Sequence, residues 1–214
     1  AGASLNLLND TIYENYQGVY ADAGSVSLRN TVISGNGDPN TGIDVFGSFT
    51  SLGHNFIGVS NGSSGFSNGV NGDQVGSKDN ALDPIFDSLN FYGGPTKTYR
   101  PVRNDPMLPD SPLINAGETL PEMSNSLVPL IATDQRGVPR SLEASTDIGA
   151  FETGFTGFIV NTVDDTPDAN LNDGIAADAN GKVSLRAAEK SSCHGTYTGS
   201  MPNSRQISQV LSLL

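Results

Sequence analysis

The chain has 214 residues, of which 36% are hydrophobic, with 25 Gly, no Trp and a formal net charge of −12. So lean an apolar content suits the thin core of an elongated solenoid better than a compact ball. Only 11 Lys and Arg are present and they are scattered, which argues against a nucleic-acid partner, because phosphate binding needs clustered cations.

A repeat opens the chain. Leu7, Asn9, Ile12 and Asn15 recur after 21 residues as Leu28, Asn30, Ile33 and Asn36. A weaker copy follows at Leu52, Asn55 and Ile57, 24 residues beyond Leu28 and Ile33 for the two aliphatic positions. A period in the low twenties predicts an all-β, right-handed single-stranded parallel β-helix over 1–82, each winding giving short strands that pair in parallel with the next. Alternate residues then point inward, so Leu7, Leu28 and Leu52 are expected to form one aliphatic column, with Asn at the turns. The competing reading is an antiparallel β-sandwich with coincidental spacing.

Residues 59–80 are dense in Gly, Ser and Asn and read as a long surface loop. Residues 83–152 break the period, hold most of the prolines and read as an irregular cap closing the last coil, which would otherwise expose strand edges. A linker at 153–157 precedes a second unit at 158–190, with a strand at 158–163, a polar loop, and a short helix at 184–190 whose N-cap is Ser184. The tail at 191–214 has no period, although 206–214 fits a small apolar helix. No apolar run reaches the ~20 residues a membrane-spanning helix needs. The lone Cys193 allows no intrachain disulfide. The chain opens on Ala1, inside what reads as a repeat, and is expected to be a piece of a longer protein.

Three segments carry a resemblance. Asp83-Pro84-Ile85-Phe86, Gly93-Gly94-Pro95-Thr96 and Ser111-Pro112-Leu113-Ile114-Asn115-Ala116-Gly117 come first. Thr133-Asp134-Gln135-Arg136-Gly137-Val138-Pro139-Arg140 and Asp147-Ile148-Gly149-Ala150-Phe151-Glu152 follow. In order and spacing the first 152 residues resemble the C-terminal region of bacterial choice-of-anchor Q domain proteins. That resemblance implies a pectin-lyase-like β-helix and an extracellular or cell-surface location, and carries over no catalytic residues. From Phe158 to Ala188, Val160-Asn161-Thr162, Asp173-Gly174, Asn180-Gly181 and Ser184-Leu185-Arg186-Ala187-Ala188 are similar to the CSLREA-type segment that opens a β-helix. Ala176 and Val183 stand where that segment usually has two cysteines, and the pattern stops after Ala188.

The densest charged constellation is Asp134, Arg136, Arg140, Asp147 and Glu152. It reads as a structural ion-pair network of the cap, because the Arg fork suits carboxylates and loop carbonyls alike. The competing reading is a carboxylate site with an Arg clamp. Asp164, Asp165, Asp168, Asn170, Asn172 and Asp173 form an oxygen-rich run that makes calcium a candidate cofactor. Their spacing is not that of an EF-hand, and a solvated Asx-turn loop explains them as well. Asp38, Asn40 and Asp44 form a weaker set of the same kind. Tyr13, Tyr16 and Tyr20, with Phe46 and Phe49, make a candidate aromatic strip for a cell-surface or matrix polysaccharide, against core or turn packing. His54 and His194 are too few for a multi-His metal site, and Cys193 beside His194 lacks the held geometry a nucleophile pair needs. A structural or adhesive role is therefore expected. A polysaccharide lyase or hydrolase fragment and a carbohydrate-binding module are the alternatives. Arg29 is the only Lys or Arg in 1–58, with His54 nearby, which is too few for a groove that grips an anionic polysaccharide.

Overall fold

The computed structural model describes residues 3–37, 42–118, 132–140, 145–154, 158, 160–171 and 176–194, with side chains of 192–194 outside that description. Two compact units emerge, Ala1–Leu89 with Tyr99–Phe155, and Asn90–Thr98 with Thr156–Leu214.

The first unit is a parallel β-solenoid of about three turns. Its strands are β1 (Ser4–Leu8), β2 (Thr11–Tyr13), β3 (Val19–Arg29), β4 (Val32–Ser34), β5 (Val45–Ser51), β6 (Phe56–Ile57), β7 (Ser63–Ser64) and β8 (Gln74–Val75). They alternate between two four-stranded sheets, β1-β3-β5-β7 and β2-β4-β6-β8. Every paired strand runs parallel to its neighbour.

Side-chain alternation explains the core. Val26, Leu28, Ile33, Val45, Phe49 and Ile57 point between the sheets and are buried together. Ile12, Ile33, Ile57 and Val75 stack in one column, each in register with the next. Leu7 stands in register with Leu28. Leu52 does not continue that column. Leu28 lies opposite Ser51, and Leu52 is 40% exposed. The corner after β5 holds one more residue than the corner after β3, so the first sheet and the second advance by different amounts on that winding. Ser51 occupies that position, and the apolar contribution of β5 to the core comes from Phe49, over Val26, and from Val45.

The corners use left-handed backbone angles. Asn9, Asn30 and His54 all have φ between 51° and 57°, a region that Asn tolerates and most side chains avoid. Asn30 donates from Nδ2 to Asn9 Oδ1 at 2.5 Å. A Cβ on Gly72 would lie 2.5 Å from His54 Nδ1, so the imidazole rests over the bare glycine of the next winding. Next to this corner runs a polar column. Asp10 N donates to Thr31 Oγ1, Thr31 N to Asn55 Oδ1, and Asn55 N to Asp73 Oδ1, at 3.4, 3.1 and 2.9 Å.

Two expectations change here. Residues 59–80 are not only a loop, since they contribute β7 and β8 and complete a short winding. Their Gly and Asn supply the turns, but the strands are only two residues long and carry no apolar alternation. The irregular segment does more than close an end. Its Leu113 and Ile148 pack against Val32 and Phe56 on the outer side of the second sheet, with Leu82, Phe86 and Ala116 around them. Hydrogen bonds then tie it to successive windings. Ala150 N donates to Thr11 Oγ1, Gly149 N to Asn30 O, and Gln74 Nε2 to Pro112 O. His54 Nδ1 lies 3.1 Å from Ala116 O. The segment is a brace along the flank of the solenoid.

In the second unit the strand expected at 158–163 is not formed at its described residues, 158 and 160–163, whereas Ala176, Ala177, Val183 and Ala187 are buried. Helix α1 spans Leu185–His194, and Ser184 Oγ accepts the Ala187 N–H at 3.0 Å as an N-cap. The short Asn90–Thr98 segment closes on itself in an antiparallel bridge and belongs to this unit, which its sequence did not signal. The apolar helix expected at 206–214 lies outside the described residues. Among those described, no helix is long and apolar enough to cross a membrane.

Candidate functional site: a buried carboxylate and arginine clasp

Asp134, Arg136, Arg140, Asp147 and Glu152 converge within the flank brace. The first step is a tight turn in which Gly137 N donates to Asp134 O at 3.0 Å. Asp134 organises that turn. Its Oδ1 accepts the N–H of Arg136 and of Val138 at 2.8 and 3.0 Å. Its Oδ2 accepts Arg136 Nε, Arg136 Nη2 and the Glu152 N–H at 2.9, 2.7 and 2.9 Å. Arg136 Nη2 also reaches Glu152 O at 2.6 Å, and its guanidinium carbon lies 3.4 Å from the Phe151 ring centroid.

Arg140 is among the largest fully buried side chains of the protein. Its Nη1 donates to Glu152 Oε2 at 3.2 Å and its Nη2 to Gly149 O at 2.7 Å. Asp147 joins two irregular stretches through their main-chain N–H groups. Oδ1 accepts Asn115 N at 2.8 Å and Oδ2 accepts Thr153 N at 2.5 Å. Thr153 in turn receives Arg103 Nη1 at 3.2 Å.

Burial dominates the electrostatics. It drives the Arg136 and Arg140 values downward, opposed by the adjacent carboxylates, and both guanidiniums keep their charge because arginine starts so high. Burial first, then the neighbouring Asp147, pushes the Glu152 carboxyl up to about 8, against the Asp147 N–H and Arg140. The paired side chains of this cluster are at most 9% exposed, so what the arrangement can do is hold loops together.

The aromatic strip divides among separate environments. Tyr13 packs edge-on against Phe86 and Tyr99, at 5.0 and 4.9 Å between centroids. Phe49 is buried and stacks with Phe66. Tyr16, at 72%, and the in-register neighbours Tyr20 and Phe46 remain open to solvent. Tyr20 and Phe46 lie 5.7 Å apart with their rings tilted by 32°.

The oxygen-rich run is engaged locally. Asp164 Oδ2 accepts Thr162 Oγ1 at 2.7 Å, Asp165 pairs with Arg186, and Asp168 takes the Asn170 N–H and the Ser191 hydroxyl. Asn172 and Asp173 lie outside the described residues, as do Asp38 and Asn40. Asp44 is buried in the solenoid, where it accepts Asn36 N and Val59 N, each at 2.7 Å. Among the described residues, no three His, Cys, Asp or Glu side chains come together to hold a metal ion. Arg29 forms an ion pair with Glu118.

The sequence missed Gly149, whose N–H and O join Asn30 to Arg140. A Cβ there would fall 2.7 Å from Thr11 Oγ1. Gly149 stood in the segment Asp147-Ile148-Gly149-Ala150-Phe151-Glu152 that carries the resemblance, but nothing in that segment gave it a role of its own. No family model matches the chain, and neither a curated protein nor a solved structure matches it.

Proposed function

We propose that this chain is a non-catalytic, structural or adhesive part of a secreted or cell-surface bacterial β-helix protein of the choice-of-anchor Q type, followed by a partial CSLREA-type opening of a second unit. The observation that carries the reading is the brace. Ala150, Gly149, Ala116 and Pro112 hydrogen-bond to Thr11, Asn30, His54 and Gln74 in turn, winding by winding. Solenoid stability is otherwise a sum of nearest-neighbour contacts, so windings fray independently. A lateral strap that spans several of them makes a stiff segment, which suits a stalk or scaffold. The chief polar cluster is spent on that strap, and Arg29, the one Lys or Arg of the first two windings, is paired with Glu118.

The test is location in the organism that makes the full protein. Antibody raised against this chain should label intact cells or the surrounding matrix, and labelling confined to the cytoplasmic fraction after lysis would refute the reading.

Exposed Tyr16, Tyr20 and Phe46 favour a second reading, contact with a cell-surface or matrix polysaccharide. Aromatic faces bury readily against apolar ring surfaces. Binding on an array of neutral and acidic glycans that disappears with Tyr16→Ala or Tyr20→Ala supports it. Cleavage of any glycan on that array would instead favour the enzyme alternative.

A further inference from the structure

Three carboxyl groups and two guanidiniums share the buried clasp: Asp134, Asp147 and Glu152 against Arg136 and Arg140. An uncompensated charge at such a site is costly, and a buried carboxyl relieves the cost by taking up a proton. The hydrogen bonds identify which one. Asp134 accepts five bonds of 2.7 to 3.0 Å, three of them from main-chain N–H groups. Asp147 accepts two short main-chain bonds. Glu152 receives only two, from Arg140 Nη1 and Asp147 N, both stretched to 3.2 Å. It is therefore the carboxyl whose charge is least compensated.

The consequence reaches the solenoid. Arg140, which holds Glu152, also holds Gly149 O, and Gly149 N donates to Asn30 O. Asn30 Nδ2 donates to Asp147 O. We propose that the clasp is a proton-dependent lock, in which a proton carried by Glu152 keeps residues 147–150 seated on the first two windings, and loss of that proton at alkaline pH loosens the brace.

Among the described residues, the charged groups facing Glu152 are Asp134, Asp147, Arg136 and Arg140, with Arg103 beyond Thr153. The sign is set by the direction of the shift. A folded value near 8 against an ordinary 4.5 means that the folded state keeps the proton longer. The stabilisation is then whole below the ordinary value and lost as pH rises toward 8. Across that interval the unfolding constant contributed by this group rises about tenfold per pH unit.

The experiment is denaturant unfolding of the chain and of Glu152→Gln between these limits. Glutamine keeps the shape and the neutral form. The variant should match wild type at the acid end and exceed it at pH 8, its unfolding constant lower by up to about a thousandfold. Parallel curves for the two proteins would overturn the lock, since the titrating group would then lie elsewhere. So would a variant weaker than wild type at pH 8, because Glu152 would then act as an ordinary carboxylate partner of Arg140. Should Glu152→Gln fail to fold, a carboxyl-carbon NMR titration of wild type decides: a midpoint near 8 supports the lock and one near 4.5 overturns it. Hydrogen exchange at Gly149 N and Ala150 N, corrected for intrinsic rates, should accelerate above that midpoint, and unchanged exchange would break the link to the windings.

Discussion

Asn55 lies directly over Thr31, and its Oδ1 accepts the Thr31 N–H at 3.1 Å while its Nδ2 donates to Leu28 O at 3.2 Å. One side chain thus satisfies two main-chain groups of the winding beneath, and its own N–H is taken by Asp73 Oδ1 of the winding above at 2.9 Å. All three residues, Thr31, Asn55 and Asp73, are buried. Asn55→Leu leaves the buried Thr31 N–H without its acceptor, while Leu28 O keeps the Leu52 N–H at 2.9 Å, and the loss costs about 2 kcal/mol. Urea unfolding checks this. A loss below about 1 kcal/mol would mean that water replaces the amide.

Leu28 and Leu52 separate the two interpretations of the repeat. Leu28 is fully buried, so Leu28→Ala should cost about 3 kcal/mol or more through lost burial and the cavity left behind. Leu52→Ala should stay within about 0.5 kcal/mol, as exposed positions do. Comparable losses at both would restore Leu52 to the core and shift the register of β5.

Close approach of main chains sets another limit. A Cβ on Gly18 would fall 1.8 Å from Asp44 O, the carbonyl that accepts the Val19 N–H at 2.9 Å. Gly18→Ala must therefore push two windings apart and should cost about 3 kcal/mol, at the upper end of what overpacking does. Thermal unfolding of the variant provides the measurement, and a melting temperature equal to wild type would contradict the stacking at this rung.

In the second unit, Ser184 caps α1. Removing its hydroxyl with Ser184→Ala should destabilise the helix by about 1 kcal/mol, whereas Ser184→Asp should retain most of the cap. Amide exchange at Ala187 reports on this directly, and equal protection in both variants would show that the cap contributes little.

How much of this was legible in the sequence follows from which features repeat. The Ile12, Ile33, Ile57 column was readable because each winding puts the same aliphatic residue at the same register position of the second sheet. Leu52 misled because the extra corner residue between β5 and β6 leaves no mark in a hydrophobic pattern. The winding at 59–80 was hidden for a related reason, since its strands are two residues long and bring only Val75 to the apolar column. The five charged residues of the clasp stood out by density alone. Which flank they brace, and which carboxyl is short of donors, depends on Gly149, Ala150 and Asn115. Those contacts link positions far apart in the chain and involve main-chain atoms, which composition does not encode.

Strand direction is open to direct measurement through paired cysteines on the outer face of the first sheet. In a Cys193→Ser background, one protein carries Ser4→Cys with Ser25→Cys and another carries Asn6→Cys with Ser27→Cys, positions in register between β1 and β3. Parallel neighbours lie about 4.8 Å apart, inside the range a disulfide spans. Parallel windings require both pairs to cross-link readily under mild oxidation in the folded chain. Antiparallel pairing can bring at most one of them together, so cross-linking of one pair without the other would contradict the solenoid and the proposal that rests on it.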